Sequence, residues 1–186
     1  MLQKAILCKA SYNDADPRFT TVGDLRFGLI GSTLVFRGTA NWRNVMRDLF
    51  VVPLRSRSGY LSHGGVARAE HVLWDHVIAK LYGASLNNVH VTGHSFGGGL
   101  ALNFARALRL PVTTFGCLRN DYRFGAPPPT IEHTRIVCDD DPVTMVPRIL
   151  YKHTCDAVVL HDRDGGIDVK DHGIDVYIRR LAACGG

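Results

Sequence analysis

Short apolar runs separated by turn residues dominate the first third of the chain. Phe27 to Ile30 and Thr33 to Phe36 flank Gly31-Ser32, a two-residue turn signal, and this pattern predicts a β-hairpin. Asn41 to Leu49 changes to helical spacing, with Trp42, Val45 and Leu49 on one side. A short strand over Phe50 to Leu54 and a polar loop to Ser62 follow. Val66, Ala69, Leu73, Val77 and Leu81 then recur at helical intervals, predicting a long amphipathic helix closed by Gly83. The centre reads as a buried strand over Val89 to Thr92, a glycine-rich turn over Gly93 to Gly99, and an apolar helix over Leu100 to Leu108. Strands are expected at Val112 to Phe115, Thr134 to Cys138 and Ala157 to Leu160, and a closing helix at Ile174 to Leu181. Strands alternating with helices predict an α/β fold, a mostly parallel sheet with helices on both faces. No repeat or low-complexity tract interrupts the pattern.

Composition narrows this picture. With 186 residues and 46% hydrophobic content, the chain suits one compact domain, 1–186. No window approaches the roughly 18 consecutive apolar residues of a membrane span, and the apolar run in Met1 to Ala10 is too short for a secretory signal. A soluble, cytoplasmic chain is expected on these grounds. Cys8, Cys117, Cys138, Cys155 and Cys184 are scattered, odd in number and without a C-x-x-C pair, which predicts reduced thiols rather than a disulfide framework. The net charge of +5 is modest, and no long basic run or aromatic-basic interleaving suggests nucleic acid. Arg43, Arg47, Arg55 and Arg57 lie close together; they read as solvated arginines or as a transient contact with an anionic lipid surface.

Candidate chemistry centres on Gly93-His94-Ser95-Phe96-Gly97, a G-x-S-x-G match. A bare match also arises by chance, but a nucleophile elbow requires a strand before the serine and a helix after it, and both patterns are present. A phosphate-binding loop would need Gly-Lys-Ser/Thr, which is missing. A serine hydroxyl becomes an effective nucleophile only when a histidine takes its proton and an acid fixes that histidine's tautomer. In α/β-hydrolases these follow in the order serine, acid, histidine. Asp139-Asp140-Asp141 follows a predicted strand, and His172 directly precedes the closing helix. His153 and His161 are rival bases; His63, His71, His76, His90 and His133 read as surface or packing histidines. Asp162, Asp164 and Asp168 around Gly165-Gly166 lack the spacing of a calcium loop and read as a turn. With no H-E-x-x-H or Cys/His cluster, neither a metal nor another cofactor is expected.

Several co-linear blocks resemble the class 3 lipases, the fungal-lipase-like family. Val35-Phe36-Arg37-Gly38-Thr39 is similar to the family's V-F-R-G-[ST], and Arg43-Asn44 with Asp48-Leu49 to its lid helix. His63-Gly64-Gly65-Val66 resembles H-x-G-F, Val91 to Gly98 the T-G-H-S-L-G-G block, and Thr114-Phe115-Gly116 its T-F-G. Asp141-Pro142-Val143 with Pro147 resembles D-x-V-P, and His172 precedes Tyr177 much as in the last block. The resemblance implies a compact α/β-hydrolase that cleaves carboxylic esters of lipids, with Ser95, Asp141 and His172 as triad and Thr39 with the Phe96 N–H as oxyanion hole. Residues 41–49 would form a mobile lid or a fixed helix. Acyl transfer, cell-envelope ester hydrolysis and a catalytically idle binding domain are the alternatives on the same fold. Acyl chain length, head group and oligomeric state leave no mark in the sequence.

Overall fold

The computed structural model describes residues 1–39, 52–161, 166 and 168–185. A short helix, α1 (Leu2–Ala10), leads into the antiparallel strands β1 (Thr20–Val22), β2 (Leu25–Ile30) and β3 (Thr33–Phe36). The predicted hairpin is present, turning at Gly31, whose φ of +58° is a backbone conformation that glycine adopts without a Cβ clash. The expected helix over 41–49 lies outside the described residues, as does part of the expected 50–54 strand; only Leu54–Arg55 pairs there, as β4. Then come β5 (Leu61–Ser62), α2 (Gly64–Leu81), β6 (His90–His94), α3 (Phe96–Leu108), β7 (Val112–Phe115), β8 (Asp121–Tyr122), β9 (His133–Cys138), β10 (Tyr151–Lys152), β11 (Ala157–Leu160) and α4 (Ile174–Ala183).

Seven strands form one sheet in the order β1-β2-β3-β6-β7-β9-β11. From β3 to β11 every pairing is parallel, so β1 and β2 are an antiparallel edge on a parallel sheet. This is an α/β-hydrolase fold, with helices on both faces as expected. Strand alternation sorts the core into two layers. Leu34, Phe36, Val91 and Val112 pack beneath α2 and α3 with Leu73, Val77, Leu100 and Phe104. Val35, Phe115, Ile136 and Cys138 face the other way, against Ala5 and Cys8 of α1 and Ile174, Tyr177 and Leu181 of α4. Phe104 anchors the first layer, stacked on Phe36 at 4.8 Å and on Trp74 at 5.5 Å between ring centroids. Within the second, α1 covers β6 from the face opposite α3.

A second sheet of four two-residue strands, β10-β8-β5-β4, caps the α2–α3 side. A buried polar network joins it to the helices: Tyr60 donates to Asn103 at 2.5 Å, Asn103 to Glu70 at 3.1 Å, and Arg106 forms a two-pronged ion pair with Asp121. All five cysteines are unpaired, with Cys8, Cys117 and Cys138 buried. Among the described residues no helix is long and apolar enough to cross a membrane.

Candidate active site

The elbow expected between β6 and α3 is built by close packing. Ser95 sits at φ 58°, ψ −127°, a conformation that costs a non-glycine residue about 1–3 kcal/mol and persists only when its surroundings enforce it. Glycine spacing supplies that enforcement. A Cβ at Gly93 would collide with the Gly97 carbonyl, and one at Gly97 with the Phe36 carbonyl of the neighbouring strand. With hydrogen at both positions, the first turn of α3 closes down on β6 and β3, and the Ser95 side chain is thrust out at the carboxyl edge of the sheet. The Phe96 N–H, at the first turn of α3, has no partner within the helix, and the positive end of the helix dipole lies beneath Ser95.

Three chain segments converge on that hydroxyl. Asp141 follows β9 and begins the 3-10 turn Pro142–Met145; His172 ends the 3-10 turn Val169–His172, immediately before α4. His172 Nε2 lies 2.8 Å from Ser95 Oγ, and His172 Nδ1 lies 2.8 Å from Asp141 Oδ2. With a carboxylate at Nδ1, that nitrogen carries the proton, so neutral His172 accepts the Ser95 O–H at Nε2. Asp141 is wholly buried, His172 and Ser95 nearly so.

The carboxylate is held by more than the histidine. Val143 N–H donates to Asp141 Oδ1 at 2.9 Å, and the Tyr177 hydroxyl donates to Oδ2 at 2.6 Å while accepting from Cys138 N–H at 3.2 Å. Burial and the adjacent Asp141 charge push the Tyr177 phenol well above its ordinary value, so it stays a neutral donor. Behind the imidazole, His94 Nε2 lies 2.8 Å from the His172 carbonyl, and Tyr12 Oη lies 2.8 Å from His94 Nδ1. The carbonyl can only accept, so His94 donates through Nε2 and receives the Tyr12 O–H at Nδ1. Burial, reinforced by His172, lowers His94 to about 3, which keeps this ring neutral and its tautomer fixed.

The rival residues are engaged elsewhere. Asp140 pairs with Arg180 at 2.7 Å, and Asp139 with Arg180 at 3.3 Å and with His161 at 2.9 Å. His153 bonds the Thr144 carbonyl, His71 the Arg55 carbonyl, and His90 and His133 the hydroxyls of Thr113 and Thr114. His63 is buried against the Tyr151 ring. Among the described residues no cluster of three or more His, Cys, Asp or Glu is placed to hold a metal ion. Thr39 lines, with Ser95, His172, Tyr12, Lys170 and Ile174, a cavity of about 560 Å³. Tyr12 and α1 belong to no motif quoted above. Their signal is a run of helix formers at the start of the chain, with Leu2, Ala5 and Cys8 on one face.

Comparison with known proteins places this arrangement in a structural context. The sequence matches no family model and no curated protein. Solved structures do match. The native lipase propeptide complex of Rhizomucor miehei aligns over 92% of this chain and 74% of its own, with a TM-score of 0.66 and 22% identity. The lipase of Rhizopus microsporus var. chinensis aligns over 86% of this chain and 72% of its own, with a TM-score of 0.63 and 19% identity. A triacylglycerol lipase of Penicillium expansum aligns over 86% and 78%, with a TM-score of 0.62 and 15% identity. At such identities the likeness is one of fold: the chain has the fold of the fungal triacylglycerol lipases.

Proposed function

We propose that this chain is a serine hydrolase that cleaves carboxylic esters of lipids through an acyl-enzyme. The observation that carries the reading is the unbroken hydrogen-bond chain from Ser95 Oγ through His172 to Asp141, with both links at 2.8 Å. Ser95 attacks the ester carbonyl as His172 Nε2 takes its proton. Asp141 then stabilises the imidazolium without taking the proton itself. The carbonyl oxygen becomes an oxyanion beside the Phe96 N–H and Thr39, where preorganised donors are worth about 2.7–4 kcal/mol each in comparable sites. His172 returns the proton to the leaving alcohol, and water repeats the sequence to release the acid. No step calls for a cofactor.

Support for lipid esters comes from the fold shared with the fungal lipases and from a cavity of about 560 Å³ at Ser95, within the roughly 300–1,000 Å³ of small-molecule sites. The test is hydrolysis of chromogenic esters of increasing acyl length. Turnover by the wild type that disappears in Ser95→Ala supports the reading. A folded wild type that turns over no ester of any length excludes it.

A further inference from the structure

On the small sheet, β8 and β10 run antiparallel with Tyr122 opposite Tyr151, and the pairing continues past them as Arg123 N–H donates to the Leu150 carbonyl at 2.8 Å. One further step in this register sets Phe124 opposite Ile149. Both stand in solvent, at 70% and 72% exposure. The Phe124 ring is braced edge-on against Tyr122, with centroids 5.8 Å apart. Two large apolar side chains thus stand side by side at one tip, with no described element over them.

The tip is also strongly basic. Arg123 and Arg148 flank Phe124 and Ile149 in sequence, and the Arg123 guanidinium reaches the Arg148 carbonyl at 3.4 Å. Arg119 joins the same segment, its N–H donating to the Val146 carbonyl at 2.9 Å. Burial first, then the charges of Arg148, Arg123 and Arg135, lower Arg119 below the ordinary arginine value, and no carboxylate offsets them. Among the described residues none of these four arginines forms an ion pair. Unpaired like charges held this close destabilise the free protein and are relieved by an anionic surface.

We propose that the Phe124–Ile149 tip, ringed by Arg119, Arg123 and Arg148, docks this chain onto an anionic lipid bilayer. The two apolar side chains enter the boundary between headgroups and acyl chains, and the guanidinium groups meet lipid phosphates. The tip grows from the loops that leave the carboxyl ends of β7 and β9, the sheet edge on which Ser95 stands. This surface shares no residue with the triad, so its test is independent of catalysis.

The experiment measures binding of the Ser95→Ala chain, which leaves vesicles intact, to vesicles of phosphatidylcholine with and without phosphatidylglycerol. Binding that requires phosphatidylglycerol and weakens with salt is expected. An arginine near an anionic membrane surface contributes roughly fivefold in affinity, so Arg123→Gln with Arg148→Gln lowers it on the order of 25-fold. Phe124→Ser with Ile149→Ser lowers it at least tenfold, by the roughly 25 cal/mol per Å² of apolar burial that is lost. Thermal melts of both exposed-site variants coincide with the parent, and in the Ser95-containing chain both keep wild-type turnover of a water-soluble ester. Full vesicle binding by both variants overturns the proposal. So does equal binding to neutral vesicles, or tight binding to heparin or single-stranded DNA with none to vesicles.

Discussion

Replacing Tyr177 by Phe removes one oxygen atom from the core and two hydrogen bonds with it. The hydroxyl donates to Asp141 Oδ2 at 2.6 Å and accepts from Cys138 N–H at 3.2 Å, and every group involved is buried. A hydrogen bond to a charged group contributes about 1.5–3 kcal/mol, and a buried N–H left without a partner costs about 1–3 kcal/mol. Because the ring still fills its site against Phe115 and His94, no large cavity opens. The expected destabilisation is therefore about 2.5–6 kcal/mol, or a fall in Tm on the order of 5–24 °C for a domain of this size. Activity should fall less than on loss of the acid, because Val143 N–H and His172 still hold the carboxylate; about tenfold in kcat with KM unchanged is expected. Urea denaturation and steady-state hydrolysis of a soluble ester check the two effects separately. A Tyr177→Phe protein with wild-type stability and wild-type kcat would refute the argument that this phenol supports the triad acid.

Two further predictions concern single carboxylates. Asp141→Asn should keep the fold but cost about 10⁴ in kcat by favouring the wrong histidine tautomer, whereas Asp139→Asn, whose partners are Arg180 and His161, should cost less than tenfold; steady-state kinetics of both variants distinguishes them. Glu70 is wholly buried with Oε1 unpartnered, and burial raises it from 4.5 to about 6. Its folded-state pKa lies above the unfolded one, so its favourable contribution is complete below pH ~4.5 and is lost as pH rises through ~6, in all about 2 kcal/mol. Glu70→Gln should therefore be about 2 kcal/mol more stable than wild type at neutral pH and equal to it near pH 4, as urea melts at the two pH values will show.

The parallel sheet was legible because its strands carry long-range burial in a local pattern. Leu34, Val35 and Phe36 are apolar on both faces, as a strand covered on two sides requires, and Val112 to Phe115 was bounded to the residue. The elbow was legible for a steric reason: only glycine fits at 93 and 97. The four-stranded sheet was not, since two-residue strands are too short to show an alternation. Helix α1 escaped because its buried residues are few, Ala5, Leu7 and Cys8, and its role depends on packing against α4 at the far end of the chain. The same holds at the site. Local sequence favours Asp141 over Asp139 and Asp140 only through side-chain direction and the D-P-V match, and what separates them physically is distant: Arg180 takes the first two, while Tyr177 and His172 take the third. Tyr12 and His94 act through hydrogen bonds spanning more than seventy positions, beyond the reach of any local pattern.

The central claim is that the strained Ser95 is a nucleophile activated by His172. A fluorophosphonate probe forms a covalent bond only with such a serine, so peptide mapping after labelling reads the claim directly. The account predicts modification at Ser95 in the wild type and its loss in His172→Ala, with both proteins folded by circular dichroism. A folded wild type that remains unlabelled, or labelling that persists undiminished in His172→Ala, contradicts it.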